Sequence, residues 1–303
     1  MTGGAGFIGS NLVDALVAAG CHVRVLDDLT TGYRENVHPS AELIVAPVED
    51  EEAVASAVDG CDVVFHQAAH RAVLRSVEQP LTTDLANTHG TLIVLDAARK
   101  AGVRRFVYAS SSSVYGGADV RPTPETEPLL PRSPYAVSKL AGEHYCRVFT
   151  ELYGLETVSL RYFNVYGPRQ RPDSQYAAVI PLFIDALRSG RPPMVHGDGK
   201  QTRDFTFISD VVAANLAAAK APSRAAGRAY NIAGGHAHSL LDLLDILGRL
   251  LGVTPVPEHT DPRPGDVRHT QAAVDAAASD LGWRAAVGFE DGLAATVEWF
   301  ASR

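Results

Sequence analysis

The chain has 303 residues, 46% hydrophobic and 20% charged, with a formal net charge of −8, the profile of a globular protein with a substantial core. That charge disfavours broad binding to nucleic acid or anionic membranes, and no apolar run approaches the roughly 20 residues that span a bilayer. Cys21, Cys61 and Cys146 are scattered, with no C-x-x-C pair, which argues against a disulfide or zinc framework and for a reducing, cytoplasmic setting. The opening has neither the basic nor the long apolar stretch of a signal peptide, so none is expected.

Gly3, Gly6 and Gly9 form G-x-x-G-x-x-G, and residues 11–19 follow as a predicted amphipathic helix stopped by Gly20. A glycine turn opening a helix brings backbone N–H groups to a pyrophosphate at the positive helix end. A predicted strand at 21–26 ends in Asp27. A carboxylate there suits an adenosine ribose diol and repels a 2′-phosphate, so NAD is expected rather than NADP. A fold of this kind needs a hydrophobic strand before the glycine loop, and the chain has no residues for one. The expectation is a truncated start, which the mass of the native N-terminus would test.

Alternation then continues: strand 42–46, helix 51–58, strand 62–66, long helix 81–101, strand 105–110, proline-rich loop 122–134, helix 135–153 and strand 157–163. Strands alternating with helices predict a doubly wound parallel sheet of the Rossmann type over residues 1–163. Its ligand edge is the carboxyl ends of the strands, where Asp27, Ala68, Ser111 and Asn164 fall. After Phe163 prolines and arginines rise and the alternation fails. Residues 164–303 are read mainly as a smaller α/β lobe, with segments 176–188, 197–210 and 240–251, a strand at 229–233 returning to the main sheet and a last helix at 289–301. His66 and His70 are read as structural.

Tyr135 and Lys139 are four residues apart in Ser133-Pro134-Tyr135-Ala136-Val137-Ser138-Lys139. On a helix they share one face. An ammonium beside a phenol favours the phenolate, so Lys139 is expected to bring the Tyr135 pKa from about 10 toward neutrality and make it a general base for a sugar or alcohol hydroxyl.

Together with Ser110-Ser111-Ser112-Ser113-Val114-Tyr115-Gly116, Arg161-Tyr162-Phe163-Asn164-Val165-Tyr166-Gly167-Pro168 and Arg263-Pro264-Gly265-Asp266, these motifs make nearly the whole chain resemble the extended short-chain dehydrogenase/reductases. Within them it looks most like the NAD-dependent epimerase/dehydratases acting on UDP-glucose, UDP-N-acetylglucosamine or UDP-glucuronate as 4-epimerases. The resemblance implies NAD binding by Gly3, Gly6, Phe7, Ile8, Asp27, Ala68, Asn87, Tyr135, Lys139 and Phe163, with Val48 and Arg71 standing where relatives use an Asp and a Lys. It implies catalysis by Tyr135, Lys139 and Ser111. It also implies a UDP-sugar site from Ser111, Ser112, Asn164, Tyr176, Val179, Pro181, Arg203, Arg263, Asp266 and Thr270, with the arginines on the diphosphate. Helices 81–101 and 138–153 match those that pair in the family's homodimer.

The implied reaction is C4 epimerisation through a 4-keto sugar, with no net redox change. The alternative is a 4,6-dehydratase, which must also eliminate water across C5–C6. Relatives that do so carry an acidic pair where this chain has Ser112-Ser113. A weaker alternative is a non-catalytic dinucleotide sensor, which would not need the Tyr/Lys pair. A serine hydrolase is disfavoured because the serine run lacks G-x-S-x-G. Thr270 is small where a bulky side chain limits room at the sugar C2, so N-acetyl forms are expected to be accepted. A uronate would want a cation near C6, for which Arg169, Arg171 and Arg188 are candidates.

Overall fold

In the strand Arg105–Ser111, Phe106 and Tyr108 join one buried cluster and Val107 and Ala109 another. Side chains alternate across a strand, so this strand is covered on both faces and lies mid-sheet. The computed structural model describes residues 1–172, 178–262 and 267–302. Its first part contains α1 (Phe7–Ala18), β1 (Arg24–Asp27), β2 (Glu42–Val45), α2 (Glu51–Val58), β3 (Val63–His66), α3 (Val73–Glu78), α4 (Pro80–Asp84), α5 (Gly90–Lys100), β4 (Arg105–Ser111), α6 (Pro134–Tyr153) and β5 (Glu156–Tyr162). The second part contains β6 (Val165–Tyr166), α7 (Val179–Arg188), β7 (Met194–His196), β8 (Thr202–Asp204), β9 (Thr206–Phe207), α8 (Ile208–Lys220), β10 (Arg228–Ile232), β11 (Ala237–Ser239), α9 (Leu240–Leu251), β12 (Glu258–Thr260), α10 (Asp275–Leu281) and α11 (Phe289–Ala301).

Strands β3, β4, β5 and β10 form one parallel run and β1 and β2 another. Met1 and Thr2 occupy the lane between them. Thr2 bridges both Leu26 and His66, Leu26 N donates to the Met1 carbonyl at 2.8 Å and Gln67 N to the Thr2 carbonyl at 3.2 Å. The order across the sheet is therefore β2-β1-Thr2-β3-β4-β5-β10. Leu12, Val211 and Ala214 from α1 and α8 cover one face, and Val54, Leu95 and Phe149 from α2, α5 and α6 cover the other. A further core of Ile180, Phe183, Leu243, Leu247, Leu293 and Phe300 joins α7, α9 and α11. No helix among the described residues is long and apolar enough to cross a membrane.

Several boundaries differ from the sequence expectation, each for a local reason. Helix α1 starts at Phe7, directly on the glycine loop, because the extended Gly6 caps it. Strand β1 starts at Arg24, since Cys21 N is bonded to the Leu16 carbonyl and closes the helix. The single helix expected at 81–101 is interrupted by a π turn at Leu85–His89. Helix α8, unassigned from sequence, packs beside α1 on the main sheet.

Candidate active site

The glycine loop is compact enough to exclude side chains. Gly3 has φ +68, and a Cβ there would lie 2.6 Å from the Ala68 nitrogen; one on Gly9 would lie 2.0 Å from the Gly3 carbonyl oxygen. The loop presses against the end of β3 and delivers the first turn of α1 to a cleft. Asp27, at the carboxyl end of β1, accepts from Ala5 N and Leu29 N, both at 2.9 Å. Burial pushes its pKa up and those two bonds oppose the shift. Asp27 thus ties the glycine loop to β1 while lining the cleft.

Gly3, Gly6, Phe7, Ile8, Asp27, Val48, Ala68, Arg71, Tyr135 and Lys139 all line this cleft. A glycine loop, a helix N-terminus and a carboxylate at the β1 end fit a dinucleotide. Two residues assigned to it from sequence sit elsewhere. Asn87 is buried within the π turn, where its amide holds His70 N (2.7 Å), the His70 carbonyl (3.1 Å) and Ser138 Oγ (3.0 Å). Phe163 lines the neighbouring cavity.

Helix α6 begins cleanly: Ser133 Oγ accepts from Ala136 N at 3.1 Å and Pro134 occupies the first turn, both favourable there. This sets Tyr135 and Lys139 one turn apart over the carboxyl end of β4. Lys139 is 3% exposed. Its Nζ donates to the Ala109 carbonyl at 2.8 Å and lies 5.0 Å from the centre of the Tyr108 ring. Burial brings its ammonium down to about 7. The expectation that Lys139 lowers the Tyr135 pKa is not met. Burial pushes the phenol up, and what opposes it is Ser111 and the charge of Arg71.

Ser111 ends β4 and accepts from Ser113 N at 3.2 Å and Ser113 Oγ at 2.9 Å. With Ser112, Phe163, Asn164, Arg203 and Thr270 it lines a second cavity of about 520 Å³. Asn164, at φ +34, donates through Nδ2 to the Asp204 carbonyl at 2.9 Å and to Thr270 Oγ1 at 3.4 Å. Val179 lines an adjoining cavity, whereas Pro181 is buried in α7 and is not on its wall. Tyr176, Arg263 and Asp266 lie outside the described residues. The three cations proposed for C6 are engaged elsewhere: Arg169 pairs with Asp14 at 2.6 Å, Arg171 lies 4.0 Å over the Tyr33 ring and Arg188 donates to the Phe300 carbonyl.

Sequence reasoning missed the supports behind the site. Glu143 lies one further turn along the Tyr135–Lys139 face and is 8% exposed. It accepts from Ser110 Oγ, from Arg161 Nε at 2.9 Å and from Arg161 Nη2 at 2.8 Å. Arg161 also donates to Tyr115 Oη at 2.8 Å, which donates to Asn231 Oδ1 at 2.7 Å. The four-residue spacing of Glu143 from Lys139 was a legible signal; its partners were not. His66 is fully buried between Thr2 Oγ1 (2.7 Å) and Thr91 Oγ1 (2.9 Å).

Residues 1–233 match the model of the NAD dependent epimerase/dehydratase family. The chain belongs to that family. It is 39% identical over 310 residues to the UDP-glucose 4-epimerase of Mycolicibacterium smegmatis, covering all of this chain and 98% of that protein. It is 35% identical over 317 residues to a dTDP-glucose 4,6-dehydratase of Actinoplanes sp., covering 99% and 96%. Among solved structures, UDP-glucose 4-epimerase of Thermotoga maritima with UDP-glucose superposes with a TM-score of 0.96 at 37% identity, covering 99% of this chain and 97% of that one. The family's cofactor is NAD, and the Rossmann-type fold expected from the alternation is the fold found.

Proposed function

We propose that the chain is an NAD-dependent UDP-hexose 4-epimerase. The observation that carries this reading is a shared wall. Tyr135 lines both the dinucleotide cleft and the neighbouring cavity, with Lys139 on the cleft side and Ser111 on the cavity side. A base at that junction reaches a sugar hydroxyl and a nicotinamide together. Bound NAD supplies the acceptor and later the donor of the C4 hydride. Tyr135 takes the proton from the sugar O4 and gives it back after the keto ring has turned over. Ser111 hydrogen-bonds the same oxygen as its charge changes. Lys139, on the cleft side, would hold the nicotinamide ribose. Arg203 grips the diphosphate, about which the ring rotates. Residues 1–163 with the strand near 229–233 hold the cofactor and 164–303 mainly the sugar nucleotide.

Dehydration is disfavoured by the cavity's chemistry. Ser112 and Ser113 are neither acid nor base, and among the described residues no Asp or Glu lines the cavity. The test is incubation of the purified protein with a panel of UDP-sugars and product identification by NMR. C4-inverted products are expected, the N-acetyl pair included because Thr270 is small. A 4-keto-6-deoxy product would overturn the reading.

A homodimer through 81–101 and 138–153 is part of the same proposal. Leu81 (84% exposed), Leu85 (50%), Val137 (51%) and Leu152 (70%) leave these helices with apolar outer faces, an arrangement that association would bury. Light scattering should give twice the 32.2 kDa chain mass, and Leu81→Glu with Leu152→Glu should shift it toward one chain. A monomeric parent protein sinks the idea.

A further inference from the structure

We infer that the preferred sugar is a hexuronate, its C6 carboxylate met by the guanidinium of Arg132. This rests on the UDP-hexose reading above. The described lining of the sugar cavity includes the guanidinium groups of Arg71, Arg132 and Arg203 and no carboxylate, in a chain that is acidic overall. A diphosphate accounts for Arg203. Arg132 lies elsewhere, beside the serine turn. Gly116, at φ +66, ends that turn, and a Cβ on it would stand 1.8 Å from the Leu130 carbonyl oxygen and 3.2 Å from Arg132 Cγ. The segment carrying Arg132 therefore runs against the turn, with the arginine stem laid on Gly116.

Arg132 immediately precedes Ser133, the cap of α6, so it sits at the same helix end as Tyr135. It is exposed at the cavity wall, and no hydrogen bond, ion pair or ring contact engages it among the described residues. In a hexose, C6 hangs from C5, next to C4. With O4 between Tyr135 and Ser111, a group on C6 is within reach of the serine turn and its neighbour Arg132. A neutral hydroxymethyl gains little from a guanidinium. A carboxylate gains a charge-assisted, two-pronged bond, with Ser112 and Ser113 as further donors.

The test is kcat/KM for UDP-glucuronate and UDP-glucose in the parent protein, Arg132→Gln and Arg132→Lys. The parent should favour the uronate by at least about 10-fold. Arg132→Gln should lower the uronate-to-glucose ratio by about 10- to 100-fold, the worth of one charged hydrogen bond, and Arg132→Lys should restore part of it. A parent that epimerises UDP-glucose but not the uronate overturns this inference and leaves the 4-epimerase reading standing. A ratio unchanged in Arg132→Gln overturns it equally. If no UDP-sugar is epimerised, both fall.

Discussion

Tyr135→Phe lowers kcat by about 10³-fold, within the range for removal of a positioned general base, while the purified protein still carries NAD. The phenol of Tyr135 lies on the wall common to both cavities, where it can exchange a proton with a sugar hydroxyl, and Ser111 helps to hold its pKa down against burial. Phenylalanine keeps the ring and its packing, so the cleft formed by the glycine loop, Asp27 and Lys139 is retained. The two halves of the expectation have separate readouts. Initial rates with a UDP-sugar report the proton transfer, and nucleotide released on heat denaturation reports the cofactor. A loss of less than 10-fold would remove Tyr135 from the base role. Loss of bound NAD together with activity would make it a packing residue.

Glu143→Gln should destabilise the protein by about 3–5 kcal/mol, the cost of leaving a buried charge without its partner. The stranded group is Arg161, whose side chain is 5% exposed and which makes two of its hydrogen bonds to the Glu143 carboxylate. For a chain of this size the melting temperature falls by on the order of 10 °C, read by calorimetry with and without NAD. Replacing both residues by methionine should be less damaging than the single change, because no unpaired charge remains. A single variant within about 1 kcal/mol of the parent would mean that water reaches Arg161 and relieves it. Glu143 also receives the Ser110 hydroxyl, so the same bond holds α6 to the strand end that presents Ser111.

What could be read from the chain alone was whatever depends on near neighbours in sequence. The glycine turn, Asp27 after the next strand and the Tyr135–Lys139 spacing are local patterns, and the cleft contains all of them. Contacts made by folding were not legible. Asn87 was assigned to the cofactor by resemblance, yet within the π turn its amide is spent on His70 and Ser138. The direction of the Tyr135 shift came out opposite to expectation, since helical spacing gives proximity to Lys139 but says nothing about how deeply the phenol is buried. Of the candidates for a C6 cation, Arg169 and Arg171 fold toward Asp14 and Tyr33, and Arg188 toward the Phe300 carbonyl. Arg132 depends on the close approach of Leu130 to Gly116, which has no trace in the sequence pattern.

His66 has one more consequence. Both its ring nitrogens meet hydroxyls, and burial together with the Lys139 charge drives its pKa down to about 3. It is therefore silent to protons throughout the physiological range, although histidine is the residue usually suspected of titrating there. The brace from Thr2 through His66 and Thr91 to the Asn87 carbonyl keeps the same shape from mildly acidic to alkaline solution. Close to this brace it is a lysine, Lys139, whose ammonium burial brings down to about 7.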